Sequence, residues 1–362
     1  MERAELIDRI RNGDIVSGAD LTGADLAGAD LTGAILESVR FAGADLAGAN
    51  LEQSVLTDCD LAGADLTGAN LSRTVWNRSS LAGASLRDAN LLKAKLLGAN
   101  LMRANLMGAK LALALLDHVD LTGARLDRAN LDRTAILGST LTDASLSGAN
   151  LKQTTILAAD LTTTALNGAR FELAVLLGSN LAGRDLAGME MACTQLSGCD
   201  LAGCDLSQAT LSQCNFTGAN LTGANLEGAR AERSIWTDAT LVSAKLAGAH
   251  LFQSSFAGAN LSEADCSGAN LEQSIFTRAT CHATRFADAR LTYADFTHAD
   301  VSRSDFTGAT LRGARLHRPK DEGTTWGDRT AALGDDEDLA AAEQWQAAHG
   351  ASAETEERKA ET

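Results

Sequence analysis

An apolar residue recurs at every fifth position from Leu21 to Leu316, sixty times without a slip, and this period governs what the chain can fold into. These positions, written i, carry Leu, Phe, Trp, Ile, Met, Val, Cys or Ala. Two residues earlier, 58 of the 60 are Ala, Ser, Thr, Cys or Val, the exceptions being Arg184 and Met189. A helix cannot use the spacing. Five residues at about 100° each overshoot a full turn by roughly 140°, so the series would wander around its surface. A long strand cannot use it either, because an odd period sends successive side chains to opposite faces. The pattern is satisfied if each pentad is one short side of a coil that turns a corner before the next. The small residue at i−2 and the large one at i then point inward, and i−1, i+1 and i+2 point outward.

The outward positions carry their own signals. Gly at i+2, as at Gly23, Gly28 and Gly33, suits a corner because it takes positive φ without steric cost. Asp or Asn stands at i−1 in 28 of the 60 pentads, where a short polar side chain can bond nearby backbone groups. On one twenty-residue register this polar residue gives way to Val55, Val75, Leu115, Ala135, Thr155, Val175, Ile235 and Ile275. The i residues of the same register include Trp76 and then Phe216, Trp236, Phe256, Phe276 and Phe296. Four pentads per turn follow, which predicts about fifteen turns and a rod about 70 Å long at the ~4.8 Å spacing of stacked strands.

The repeat Ala-(Asp/Asn)-Leu-x-x, as in Ala19-Asp20-Leu21 and Ala24-Asp25-Leu26, resembles the pentapeptide-repeat family, and the resemblance spans residues 19–318. It implies an all-β solenoid, a right-handed, four-sided (quadrilateral) parallel β-helix. Residues 1–18 are expected to form an N-terminal helical cap, since Leu6, Ile7 and Ile10 share one side and Gly13 is a stop signal. Residues 319–350 should form a loop and a helix, with Trp326 packing on the last turn and the helix running from Asp335 to His349. The polar residues 351–362 read as a disordered tail.

Several function classes find no support. There is no phosphate-cradling Gly-x-x-x-x-Gly-Lys loop and no His-Glu-x-x-His. The six histidines, His118, His250, His282, His298, His317 and His349, are scattered. No enzyme activity and no cofactor are expected. Cys199, Cys204 and Cys214 occupy i−2 close together, with Cys193 just before them. Zinc needs ligands that converge tetrahedrally, so these read as small core residues and no metal is expected. The N-terminus shows no basic n-region followed by an apolar h-region, so no signal peptide is expected; Lys93, Lys95, Arg103 and Lys110 interrupt the most apolar stretch, so a cytoplasmic protein with no membrane span is expected.

Function is therefore sought on the exterior. Leu92, Leu97, Met102 and Met107 stand at i+1 in four successive pentads, with Leu113 at i+2 and Leu115 at i−1. They predict an apolar girdle around one turn, extended as a stripe by Leu137, Leu157, Val175 and Leu177. Clustered outward apolar residues mark interfaces, so the partners are expected to be other proteins, and a homodimer is open.

The net charge of −16 is uneven: residues 319–362 hold twelve acids against four bases. The sides bearing Asp20 and Asp60, and Asp25, Asp45 and Asp65, are the acidic ones. The family resemblance implies one further role, since some members are similar to B-form DNA in shape and charge and protect DNA gyrase from poisons. A mimic needs dense charge, because DNA carries one per ~1.7 Å; the repeats here carry about −7, with one slightly basic side. Direct nucleic-acid binding is not expected. The exit from the repeats, Leu316-His317-Arg318-Pro319-Lys320, with Ala342-Glu343-Gln344-Trp345, resembles the tails of pentapeptide-repeat proteins accompanying bacterial type VI secretion loci. The preferred reading is a non-enzymatic scaffold or adaptor, with a secretion component or cargo as partner; the alternative is a DNA mimic that binds gyrase.

Overall fold

The computed structural model describes residues 1–345. Helix α1 (Arg3–Arg11) is followed by eight three-residue strands. These are β1 (Ile15–Ser17), β2 (Ile35–Glu37), β3 (Val55–Thr57), β4 (Val75–Asn77), β5 (Lys95–Leu97), β6 (Leu115–Asp117), β7 (Ala135–Leu137) and β8 (Thr155–Leu157). They form one parallel sheet in chain order, each strand pairing with the next at a twenty-residue offset, Ile15 with Ile35 and Val16 with Leu36. In every strand the middle residue is buried and its neighbours are not. A second helix, α2, occupies residues 337–345. The remainder of the helix expected to His349, and the expected tail at 351–362, lie outside the described residues.

The fold is thus a parallel β-solenoid with two short helices. Its continuous sheet supplies about seven turns, where fifteen were expected. Beyond Leu157 the same offset is kept by isolated bridges such as Thr155 with Val175 and Ile275 with Asp295. Part of the reason lies at i−1. Asn215 and Asp295 use Oδ1 to accept the N–H of Thr217 (3.0 Å) and Thr297 (2.9 Å), which turns the chain where a β-branched residue would extend it. Three further bridge series start from Asp20 with Arg40, Asp25 with Asp45 and Asp30 with Asn50.

The interior follows the pentad. The i residues are all buried, and Ala fills most of the i−2 places beside them. Several Thr at i−2 bond a carbonyl of the preceding turn, as Thr134 Oγ1 to Leu111 O and Thr154 Oγ1 to Leu131 O, both at 2.7 Å. Buried hydroxyls are tolerated only when paired in this way. From Phe216 onward, rings fill one inward column and later a second. Phe216, Trp236, Phe256, Phe276 and Phe296 stack with centroids 4.1–5.7 Å apart. A second column, Phe286, Phe306 and Trp326, stacks at 4.8 and 4.6 Å and meets the first edge-on. Trp326 therefore covers the last turn as expected, and Leu6 of α1 is fully buried at the other end.

Candidate interaction surfaces

The aspartates expected to form acidic sides hold the backbone first. Asp25 Oδ1 accepts the N–H of Ala27 at 3.1 Å, Asp45 that of Ala47 at 2.9 Å and Asp65 that of Thr67 at 2.9 Å. Asp25, Asp45 and Asp65 are exposed and lie in register, since they bridge in sequence. On the neighbouring column Arg40 sits between Asp20 and Asp60, and its Nη2 is 2.7 Å from Asp20 Oδ2. The Thr22 hydroxyl and amide, with Arg40, hold the Asp20 carboxyl below the usual carboxylate range. Asp25, Asp45 and Asp65 form an unbroken run of three like charges; the column passes next to Ser85 and then to Asn105 and Arg125.

The apolar residues do not form a single surface. The carbonyls of Leu92, Leu97, Met102 and Met107 accept from Arg73, Arg78, Gly83 and Asp88, four different columns of the coil. Leu92 and Met102 are exposed, while Leu97 and Met107 are half-buried. They stand on four separate ladders and so do not form one continuous strip. The stripe is also interrupted, because the register runs Leu97, Asp117, Leu137, Leu157. Asp117 lies within it, its carboxylate 2.8 Å from His118 Nδ1.

What the structure does bring together is a two-column patch beyond Asp117. Leu115, Ala135, Thr155 and Val175 form one column and Leu137 and Leu157 the second, with the Leu177 carbonyl continuing its ladder. Leu157 and Leu177 are exposed, at 38% and 40%. Leu113 and Leu173 stand at corners with φ of 61° and 59° and are 44% exposed each. A left-handed backbone costs an L-residue about 1–2 kcal/mol, so each of these leucines is doubly unfavourable to an isolated rod. Leu173 escaped the sequence reading, although its i+2 position matches that of Leu113. Ile15 and Ile35, exposed at the N-terminal end of the same sheet face, escaped it too; the column Ile15, Ile35, Val55, Val75 was the available signal.

The cysteine cluster does not converge. Cys199, Cys204 and Cys214 each donate the thiol proton to a separate carbonyl, of Leu176, Leu181 and Met191. Burial pushes the thiols of Cys199 and Cys204 up to about 11 and that of Cys214 to about 12. Buried, protonated thiols are core residues.

Arg184 neither buries its charge nor escapes outward. It is half-buried, and its Nη1 and Nη2 donate to the carbonyls of Thr162 (2.8 Å) and Thr164 (2.7 Å). In a regular turn the second carbonyl would accept a backbone amide one turn on, as the Arg184 carbonyl accepts from Asp205 at 2.9 Å. The guanidinium has taken that place, and the bridges joining Ala165 to Asp185 and Arg170 to Glu190 are missing from the ladder. A cleft of about 430 Å³ opens there, lined by Gly168–Arg170 and Ala187–Glu190. The opposite side stays closed through the Thr155–Val175 bridge and the Leu161 N–H to Asn180 O bond (2.8 Å).

Among the described residues no helix is long and apolar enough to cross a membrane. No curated protein matches the chain. Solved structures that it resembles include HetL, a pentapeptide repeat protein involved in heterocyst differentiation regulation from the cyanobacterium Nostoc sp. strain PCC 7120. The identity is 24%, over 87% of this chain and 96% of HetL, with a TM-score of 0.24. QnrB1, a plasmid-mediated fluoroquinolone resistance protein, is 18% identical over 52% of this chain and 91% of its own, with a TM-score of 0.31. A pentapeptide repeat protein of the Arabidopsis thaliana thylakoid lumen is 29% identical over 34% of this chain and 68% of its own, with a TM-score of 0.13. The family described as Pentapeptide repeats matches residues 16–37, 34–73, 77–108, 99–135, 114–156, 191–230 and 219–256. A related Pentapeptide repeat region matches 249–326, and with most of its length so covered the chain belongs to the pentapeptide-repeat family.

Proposed function

We propose that this protein is a non-enzymatic, rod-like scaffold or adaptor that docks another protein on the apolar sheet face. The carrying observation is the patch of Leu137, Leu157 and Leu177 beside Leu115 and Val175, flanked by Leu173 in a left-handed corner. Burying exposed leucine gains about 25 cal/mol per Å² of apolar surface, and the cost of holding Leu173 in its corner is offset only if that side chain is covered. A partner that is a secretion component or its cargo, in an accessory role to a type VI system, is the more specific form of this reading; it rests on the likeness of the tail around Leu316–Lys320. A second copy of the chain is the other partner the face could take.

The test is Leu137→Asp with Leu157→Asp, both outward positions whose change leaves the interior intact. Circular dichroism should be unchanged, while self-association by sedimentation, or capture of the native partner from the source cells, should fall at least tenfold. Unchanged association would overturn the reading.

A second reading is favoured by the Asp25–Asp45–Asp65 column, whose like charges repeat once per turn. In that reading the acidic side imitates DNA and engages gyrase. It requires inhibition of gyrase supercoiling that is relieved by D25K, D45K and D65K together.

A further inference from the structure

Where α2 meets the end of the solenoid, three side chains from distant points in the chain converge. Among His298, His317 and Glu343, one ligand atom of each lies within 4.8 Å of the others. His298 Nε2 is 2.6 Å from Glu343 Oε1, and His317 Nε2 is 3.5 Å from the same oxygen. The His317 side chain is only 3% exposed, and among the described residues its Nε2 makes no well-formed hydrogen bond, Glu343 Oε1 at 3.5 Å being its nearest polar neighbour. A nearly buried imidazole nitrogen aimed at a carboxylate and left unsatisfied is costly unless something else occupies the space.

We propose that these three residues form a binding site for a divalent transition cation of the zinc type. Two imidazole nitrogens and one carboxylate oxygen are the donor set such an ion prefers, at about 2.0–2.2 Å, with water completing four-coordination. Calcium and magnesium prefer oxygen ligands and are disfavoured here. The surrounding groups suit the role. Arg318 Nη1 holds the other carboxylate oxygen, Glu343 Oε2, at 2.6 Å, which fixes the carboxylate and leaves Oε1 for the ion. A cleft of about 290 Å³, lined by Thr297, Arg315, His317 and Asp335 among others, opens beside the cluster and gives a route of entry.

Two contacts must change for the ion to bind: the 2.6 Å hydrogen bond between His298 Nε2 and Glu343 Oε1 releases its proton to solvent and opens, and the His317 tautomer reverses. The Asp336 amide donates to His317 Nδ1 at 3.0 Å, which puts the imidazole proton on Nε2. When Nε2 ligates the ion, that proton must reside on Nδ1 instead. Asp335 Oδ1, 3.7 Å from Nδ1, is the acceptor that would receive it, giving the carboxylate–histidine–metal arrangement. Asp335 Oδ1 is itself oriented by the Arg318 amide at 2.9 Å. Binding would therefore exchange a backbone contact at the start of α2 for a metal link near its end. The metal ties α2 to the last turns of the solenoid, and Asp335 is a positioning residue.

The test uses the full chain after chelator treatment, titrated with Co²⁺ and with Zn²⁺. One Co²⁺ per chain should give visible ligand-field absorption that Zn²⁺ abolishes, and Zn²⁺ should slow amide exchange in residues 337–345. His298→Gln and Glu343→Gln should each weaken Zn²⁺ binding at least tenfold by calorimetry, and Asp335→Asn should weaken it less. These positions lie at or beyond the last turns, and unchanged circular dichroism identifies variants that retain the solenoid. Absence of the cobalt absorption, or Zn²⁺ binding that survives either ligand substitution, would overturn the site.

Discussion

The two halves of the solenoid keep one frame and hold it differently. Up to Leu157, mostly aliphatic side chains fill the interior, with Phe41 and Trp76 as unstacked rings among them, and one column is extended enough to form strands β1–β8. From Phe216 on, the same inward positions carry rings stacked turn upon turn, and the backbone pairs only by single bridges. Between them the small inner residue is replaced twice, by Arg184 and Met189, and a cleft opens that is lined by Met189 and its neighbours. The comparison shows that the pentad fixes where a residue points while leaving open what binds one turn to the next. Aliphatic packing and ladder hydrogen bonds suffice on one side of the cleft; ring stacking adds about 0.5–1.5 kcal/mol per pair on the other.

The sharpest way to break this comparison is to remove a ring. Trp236→Ala should cost about 3–5 kcal/mol and raise amide exchange mainly between residues 196 and 296, since each turn contacts only its neighbours. Exchange that rises equally in the β1–β8 region would show the halves to be one cooperative unit. Next in size is the cleft itself. Arg184→Ala with Met189→Ala restores the small inner residue and frees Thr164 O for the Asp185 amide. The bonds regained, at about 0.5–1.5 kcal/mol each, should raise the urea midpoint and slow exchange at Asp185; a lower midpoint would mean that the guanidinium contacts outweigh the lost ladder.

Leu173→Gly should stabilise the fold by about 1 kcal/mol, because glycine takes the left-handed corner freely, while weakening partner capture if Leu173 is part of the docking face. The smallest effect is on acid stability. The hydroxyl and then the amide of the following Thr lower the carboxyl pKa of Asp30, Asp160 and Asp305. A depressed folded value means that the contribution is present above the unfolded value of about 3.9 and is lost as pH falls through the folded one. Thr32→Val and Thr307→Val should each move the acid-unfolding midpoint slightly upward, one in each half; no movement in either would show that these hydroxyls add nothing to the carboxylates' stability.

Much of the fold could be read from the residues because the signal is periodic. The buried i series, the small i−2 series, the aspartate contacts to backbone and the stack from Phe216 to Phe296 all follow from position within the pentad. What could not be read depends on contacts between positions that the period does not relate. Arg184 finds two carbonyls of the preceding turn, an outcome set by side-chain length. His298 and Glu343 meet across 45 residues only because α2 folds back on the last turns. Asp117, by contrast, was legible: a count by twenties from Leu97 lands on it and shows the stripe to be broken.

The absence of inserted loops has a consequence for how such a chain can change length. Because pairing joins residues twenty apart from Ile15 through Thr325, a duplication or deletion of twenty residues keeps every downstream side chain on its own column. A change of five preserves the interior equally well but rotates the whole downstream exterior by one column, carrying the ring stack and the His298 cluster to a different bearing relative to Leu157. Length in this protein is therefore quantised twice, in steps of five for folding and in steps of twenty for keeping two surfaces aligned.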